Sequence, residues 1–299
     1  MASALPSSPV TDRAPLLFEA LPTDARLASE AKQGHVDSLR PLAKLGVDAI
    51  NVPEILDGAY PTVEPRRFAR AVQETTGLPA IVNRITVQEP AAAFDAWIDD
   101  TVAVGIEHVV LVGGERSDRR HPGPSVTQGL RRAAPRVPGR LGVITIPTRR
   151  RPDLDEPERL AAKRRAGADL AISQILCEAE AAKTLHADVG PGGIPICWSL
   201  APVVRTKDLA FLQWLGVEVP KAYERRLRGA RDDDHRRALS QGANADIARS
   251  LLEHAEEEGL GPVGFCIEHV MRSNMEPAFA LVERVQGVLK EFKGLRVAA

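Results

Sequence analysis

Aromatic residues are scarce in this chain. Its 299 residues include 3 Trp, 2 Tyr and 7 Phe, 4% in all, although 44% of residues are hydrophobic. Aliphatic side chains and alanine must therefore fill most of the core. Net charge is nearly absent as well: 39 basic residues stand against 40 acidic ones. That balance gives no electrostatic footprint for nucleic acid or for a membrane surface. Two local basic runs, Arg149–Arg151 and Arg225–Arg228, read as solvated faces. Only three cysteines occur, Cys177, Cys197 and Cys266. Their odd number and wide spacing exclude a disulfide framework and a zinc knuckle, and their place in or just after apolar runs suits small buried hydrophobes. No apolar run approaches the roughly 20 residues of a spanning helix. The first fifteen residues, MASALPSSPVTDRAP, lack the basic and apolar regions of a signal peptide and read as a loose lead. The expectation is a cytoplasmic protein whose folded part is one domain, 16–299.

Several motifs are missing too. No GxGxxG follows the first strand-like run, and there is no Walker loop, nucleophile elbow or Ser/His/Asp arrangement. No His or Cys cluster has metal-ligand spacing, so no metal is expected.

What the chain does have is alternation. Eight short aliphatic runs read as strands: Leu16–Leu21, Val47–Val52, Pro79–Thr86, Glu107–Gly114, Gly139–Pro147, Asp169–Leu176, Ile194–Pro202 and Pro262–Val270. Between them lie longer segments with helical patterning, at Gln33–Leu45, Pro65–Thr76, Pro90–Val104, Pro124–Ala134, Glu156–Ala166 and Glu178–Leu185. A longer helical excursion, Lys207–Glu258, separates the seventh and eighth strands, and Glu276–Phe292 closes the chain. Joints such as LGVD, AVGIEH, RAGAD and EEGLGPVG put glycine at the end of a helix and an aliphatic strand directly after it. Strict alternation implies parallel strands with helical crossovers. Eight units imply an α/β fold of the (β/α)8 TIM-barrel type, with an open doubly wound sheet as the alternative.

A barrel carries its active site at the carboxyl ends of its strands. The polar residues there are Glu19, Asn51, Glu54, Asn83, Arg84, Glu115, Thr148, Arg149, Gln174, Ser199, Glu268 and His269. The set is rich in carboxylates and amides, which suits proton transfer and the hydrogen-bonding edge of a heterocycle.

In order and spacing, several segments resemble the methylenetetrahydrofolate reductases. LLFEALP resembles that family's S-F-E-F-F-P, with Glu19 at the acidic position. GIEHVVLVGGERSD is similar to G-I-x-x-I-x-A-L-R-G-D, with Glu115 in place of the aspartate. LAAKRRAGADLAISQIL resembles L-K-x-K-V-D-A-G-A-x-x-x-I-T-Q, which puts Gln174 on the folate-contacting glutamine and Lys163 on a basic position. IPICWSLAPVVRTKDLAFLQWLGVEVP and QGANADIARSLLEHAEEEGLGPVGFCIEH follow the layout of the later segments. The resemblance spans about Leu16 to Met271.

It implies reduction of 5,10-methylenetetrahydrofolate to 5-methyltetrahydrofolate by hydride from NADH, or NADPH. Glu19 and Glu115 would be the catalytic acids. Gln174, Glu54, Asn83 and Ser199 would bind the folate, and Thr148, Arg149 and Glu268 the nicotinamide dinucleotide. The family's R-G-D is here Gly113-Gly114-Glu115, its H-L-T-C is Asn83-Arg84-Ile85-Thr86, its Y-P-E motif is Ile146-Pro147-Thr148, and its F-Y-T-L-N is Phe265-Cys266-Ile267-Glu268. Most of these changes fall on the family's flavin-holding wall, which calls a bound FAD into question and points to direct hydride transfer. Lys163, without a flavin, reads as an ordinary helix-surface lysine. Trp198 and Phe211 read as core aromatics, either of which could line a pterin slot. A non-catalytic pterin- or flavin-binding barrel and a barrel aldolase or lyase are the competing readings.

Overall fold

The eight aliphatic runs close into one parallel barrel. The computed structural model describes residues 15–55, 61–114, 121–151 and 154–297. In chain order its elements are β1 (Leu16–Glu19), α1 (Ser29–Asp37), α2 (Pro41–Lys44), β2 (Ala49–Val52), α3 (Pro65–Thr76), β3 (Ala80–Ile85), α4 (Ala91–Ala103), β4 (His108–Val112), α5 (Val126–Ala133) and β5 (Leu141–Thr145). A small antiparallel hairpin follows, β6 (Arg150–Arg151) and β7 (Leu154–Asp155). Then come α6 (Glu156–Arg165), β8 (Leu170–Ser173), α7 (Glu180–Val189), β9 (Ile196–Leu200), α8 (Thr206–Trp214), α9 (Lys221–Arg228), α10 (Asp233–Glu257), β10 (Val263–Glu268) and α11 (Met275–Val297). The barrel runs β1-β10-β9-β8-β5-β4-β3-β2, and β2 closes back onto β1.

Strand side chains alternate between two faces. The inward set, Leu17, Ala49, Ile81, Val110, Leu170, Ile172, Cys197 and Cys266, makes a closed apolar plug in the lumen without one aromatic ring. Gly142 belongs to this inner face: a Cβ there would come within 2.7 Å of Val110 Cγ2, so the plug tolerates only glycine at that point. The outward set, including Leu16, Phe18, Ile50, Val82, Leu111, Val143, Trp198 and Phe265, meets the helices in the main core. The few aromatics are concentrated in that outer layer, where larger volumes fit.

The glycine joints behave as their chemistry demands. Gly46 and Gly105 sit at φ +76 and +82, the left-handed conformation that ends a helix. The segment expected as one helix over Gln33–Leu45 is instead α1 and α2. Pro41 would press its ring on the carbonyl of Asp37, so the first helix ends there and a second starts with Pro41 in its first turn. The hairpin β6–β7 is too short to leave a periodic signal in the sequence. All three cysteines are buried, and none is in a disulfide among the described residues. Among the described residues no helix is long and apolar enough to cross a membrane.

Candidate active site at the carboxyl end of the barrel

Two residues beyond the apolar plug, six of the eight strands turn polar, while β4 and β5 stay apolar with Val112 and Ile144. Leu17 is followed on the same face by Glu19, Ala49 by Asn51, Ile81 by Asn83, Ile172 by Gln174, Cys197 by Ser199 and Cys266 by Glu268. Alternation therefore lifts two carboxyls, three amides and a hydroxyl onto the rim of the lumen. Glu19 is the register partner of Asn51 on one side and of Glu268 on the other.

The two carboxyls share an environment hostile to double ionisation. Burial raises the Glu19 pKa well above its ordinary value, and the negative charge of Glu268 raises it further; the amide of Asn51, donating to Glu19 Oε2 at 2.9 Å, opposes both. Burial lifts Glu268 to about 7, against the pull of the Ser199 hydroxyl. Both side chains are only half-buried by exposed area, because the barrel mouth opens onto them, yet protein surrounds them on every other side. Just below, the Cys266 thiol is pushed far up by burial and then by the two acids, so it stays neutral. An acid that must meet a substrate and still hold its proton near neutrality needs this setting.

Three rim groups have unused hydrogen-bonding capacity. Asn51 Oδ1, Asn83 Oδ1 and Ser199 Oγ are buried, and no hydrogen bond within the protein satisfies them apart from the Ser199 contact with Glu268. Buried polar atoms ordinarily find partners. The two amide oxygens can accept N–H groups of a ligand entering the lumen.

The rim is braced from behind. His269 is fully buried, stacks on Phe18 at 5.8 Å, accepts from the Leu21 amide at Nε2 and donates from Nδ1 to Met271 O. Burial drives its pKa down to about 4, so it is a neutral strut beside Glu268. The next residue, Val270, sits at φ +54, a costly conformation for a β-branched side chain. Beyond β9, Asn244 of α10 donates to Ala201 O at 3.0 Å, and the Ser240 hydroxyl accepts from Val203 N at 2.8 Å. The long helical excursion thus fixes the strand end that carries Ser199.

Of the other expected residues, Glu54, Arg84, Thr148 and Arg149 lie outside the lumen, and Gln174, though on the rim, is engaged with backbone. Glu54 is outside the lumen: it accepts from Arg84 Nη1 at 2.6 Å and from Ile85 N at 2.5 Å. Arg84 points outward with it, also pairs with Glu89 and lies 5.1 Å over the Trp97 ring. A cleft of about 430 Å³ opens there, lined by the carboxylates of Glu54, Glu64, Glu89 and Asp100 and by the guanidiniums of Arg66 and Arg84, and Arg84 is already paired with two of those acids. Gln174 turns its amide toward backbone, accepting from Ile175 N at 3.0 Å and donating to Leu215 O at 3.2 Å. Thr148 is exposed on the loop after β5, and Arg149 Nη1 stands 3.8 Å from Glu156. Glu115 lies outside the described residues.

Lys163 requires a correction. It is buried, not on the helix surface, and donates to Ile144 O at 2.7 Å beside the fully buried Glu156. Burial lowers its pKa, and Glu156 partly restores it. Trp198 is core, on the outer face of β9 against His186, so it cannot line a pterin slot. Phe211 stacks on the exposed Trp214 at 5.4 Å on α8. Asn51 stood among the strand-end residues without a role in the sequence reading. Its parity with Ala49 on the inner face is the signal that identifies it.

Residues 147–267 match the family model of methylenetetrahydrofolate reductase. The match takes in Gln174 and Ser199 and ends one residue short of Glu268. No curated protein matches the sequence. Among solved structures, an uncharacterized protein from Clostridium thermocellum that binds two copies of 5-methyl-5,6,7,8-tetrahydrofolic acid superposes with a TM-score of 0.77 at 21% identity, covering 93% of this chain and 96% of that one. An oxaloacetate acetylhydrolase gives 0.50 at 13% identity over 90% of this chain and 79% of its own. Both likenesses speak to the barrel fold.

Proposed function

We propose, from the match of residues 147–267 to the family model of methylenetetrahydrofolate reductase, that the chain reduces 5,10-methylenetetrahydrofolate to 5-methyltetrahydrofolate with NADH or NADPH as hydride donor. One observation carries this reading: a carboxyl on the lumen rim, Glu19, set between Asn51 and Glu268 in the strand register, where burial and the charge of Glu268 raise its pKa and favour the protonated form. The methylene bridge of the substrate joins two nitrogens and accepts hydride poorly. It becomes an acceptor when the leaving nitrogen takes a proton, its bond to the methylene breaks, and an iminium forms on the other nitrogen. Glu19 supplies that proton. The unpaired amide oxygens of Asn51 and Asn83 suit the N–H edge of a pterin. Hydride then passes from the dihydronicotinamide to the methylene carbon, which becomes the methyl group.

Thr148 and Arg149, on the loop after β5, are the proposed dinucleotide contacts. The reading involves no bound flavin. Lys163 is committed to Ile144 O and Glu156, and Arg84, in the altered segment after the Asn83 position, to Glu54 and Glu89. Neither cation is free to hold a flavin's phosphates, which supports direct transfer. Further support comes from the Clostridium thermocellum barrel, whose bound 5-methyltetrahydrofolic acid is the product of the proposed reaction. The lyase alternative lacks its nucleophile, since every lysine of the described chain lies on a helix and none on a strand end.

Glu19→Gln is the test. It should abolish NADH oxidation, by at least about 10²-fold in kcat, while folate still binds. A rate unchanged from wild type would remove Glu19 from the chemistry.

A further inference from the structure

Among the described residues Glu268 is the one lumen-rim acid, besides Glu19, and the reaction above leaves it without a part. We propose that Glu268 is the second carboxyl of the reaction: paired with Glu19 across the β1–β10 ladder, it carries the negative charge that stabilises the cation formed when Glu19 gives up its proton. The assignment rests on the folate-reductase reading of the same site and moves Glu268 from the nicotinamide to the pterin side.

The geometry is specific. Glu19 and Glu268 are register partners on adjacent parallel strands, whose backbones lie about 4.8 Å apart. Each stands two residues above a member of the apolar plug, so both side chains face the lumen. The groups that face them from the packed elements are the amides of Asn51 on β2 and Asn83 on β3, the Ser199 hydroxyl and Cys197 thiol on β9, and the Cys266 thiol on β10. His269, next in the chain, is turned onto Phe18 and neutral. Among the described residues, no arginine or lysine shifts the titration of either acid. Two carboxyls so placed resist double ionisation, and in the proposed resting state the pair shares one proton and carries a net charge of −1.

Charge balance follows through the cycle. The Glu19 O–H bond breaks and its proton goes to the leaving nitrogen, whose bond to the methylene breaks with the electron pair remaining on that nitrogen. The pair of acids is then at −2 beside an iminium at +1. Hydride from the dihydronicotinamide removes the cation, and the uncompensated −2 draws a proton back from solvent to restore −1. Double ionisation is thus favoured only while the cation exists, which is differential stabilisation of the reacting state. Without Glu268 the iminium would face, among the described residues of the rim, the Glu19 carboxylate alone.

The experiment compares the whole wild-type protein with Glu268→Gln and Glu268→Asp. Infrared titration of the carboxyl C=O band, without substrate, reads the pair directly. The pH profile of kcat for NADH oxidation with methylenetetrahydrofolate reads its role. In Glu268→Gln the remaining protonated carboxyl should titrate at lower pH than in wild type, because a like charge has gone. Its kcat should fall about 10²-fold, with the descending limb at lower pH and the folate KM little changed. Glu268→Asp, which keeps the charge, should recover most of the rate and the wild-type limb. A Glu268→Gln protein with wild-type kcat and pH profile, or a Glu19 band that does not move, would overturn the proposal. A loss of rate that Glu268→Asp fails to relieve, with the pH limb unmoved, would also overturn it, by showing a packing role. A wild-type protein that does not turn over the folate at all would refute the reductase reading, whereas the infrared titration would still decide the pairing.

Discussion

A barrel with two acids facing each other should become less stable as pH rises through the range where carboxylates usually help. The perturbation is Glu268→Gln, read as thermal unfolding by circular dichroism at pH 5 and pH 8. In the folded protein Glu268 titrates at about 7, against an ordinary value of 4.5. A folded-state pKa raised above the unfolded value contributes stability that is fully present below about 4.5 and is lost as pH rises through about 7. A shift of that size corresponds to about 3 kcal/mol. Water at the barrel mouth screens part of it, which leaves about 2 kcal/mol. For a chain of this length that is about 4 °C in Tm. The buried histidines His108, His186 and His269, all pushed down to about 4 by burial, work in the opposite sense: their contribution is lost as pH falls from 6.5 toward 4. They are common to both proteins and cancel in the difference. The variant should therefore gain about 4 °C on wild type between pH 5 and pH 8. A Tm difference that is the same at both pH values would refute the argument that burial and mutual repulsion disfavour the ionised pair.

Other consequences follow from individual contacts. Asn51→Leu removes the donor to Glu19 Oε2 and an unpaired acceptor; it should raise the folate KM about tenfold and move the descending limb of the kcat profile to higher pH, since the amide holds the Glu19 pKa down. Lys163→Met removes the buried cation 3.6 Å from Glu156 Oε1 and leaves the fully buried carboxylate with the more exposed Arg159 and Arg149, both on Oε2. It should cost about 2 kcal/mol in urea unfolding and leave kcat within about twofold, because Lys163 lies outside the lumen; a large kcat loss with unchanged stability would contradict that placement.

Strand parity explains what could be read before any coordinates and what could not. The aliphatic runs, the glycine joints and the alternation with helices are local signals, and all eight barrel strands lie where those signals put them. Glu19, Asn83, Gln174, Ser199 and Glu268 were accessible for the same reason: each ends an inward-facing row. Glu54 and Arg84 escaped because an outward parity at Arg84 implies a partner across the strand end, and such a pair is visible only in three dimensions. Lys163 shares a helix face with Glu156 and Leu160, at spacings of four and three, and that face packs on the barrel. The spacing was in the sequence, but a lysine on an apolar stripe is easily taken for a solvent residue. The pairing of Glu19 with Glu268 joins the first barrel strand to the last, 249 positions apart in sequence, and only barrel closure creates it.

The most direct test of the reductase reading is an absorbance spectrum of the purified protein followed by NADH oxidation on addition of methylenetetrahydrofolate. The account predicts a colourless protein that oxidises NADH only when the folate is present and does so no faster after FAD is supplied. A yellow protein with stoichiometric flavin would contradict direct hydride transfer, and a protein with no turnover with or without FAD would contradict the reductase itself.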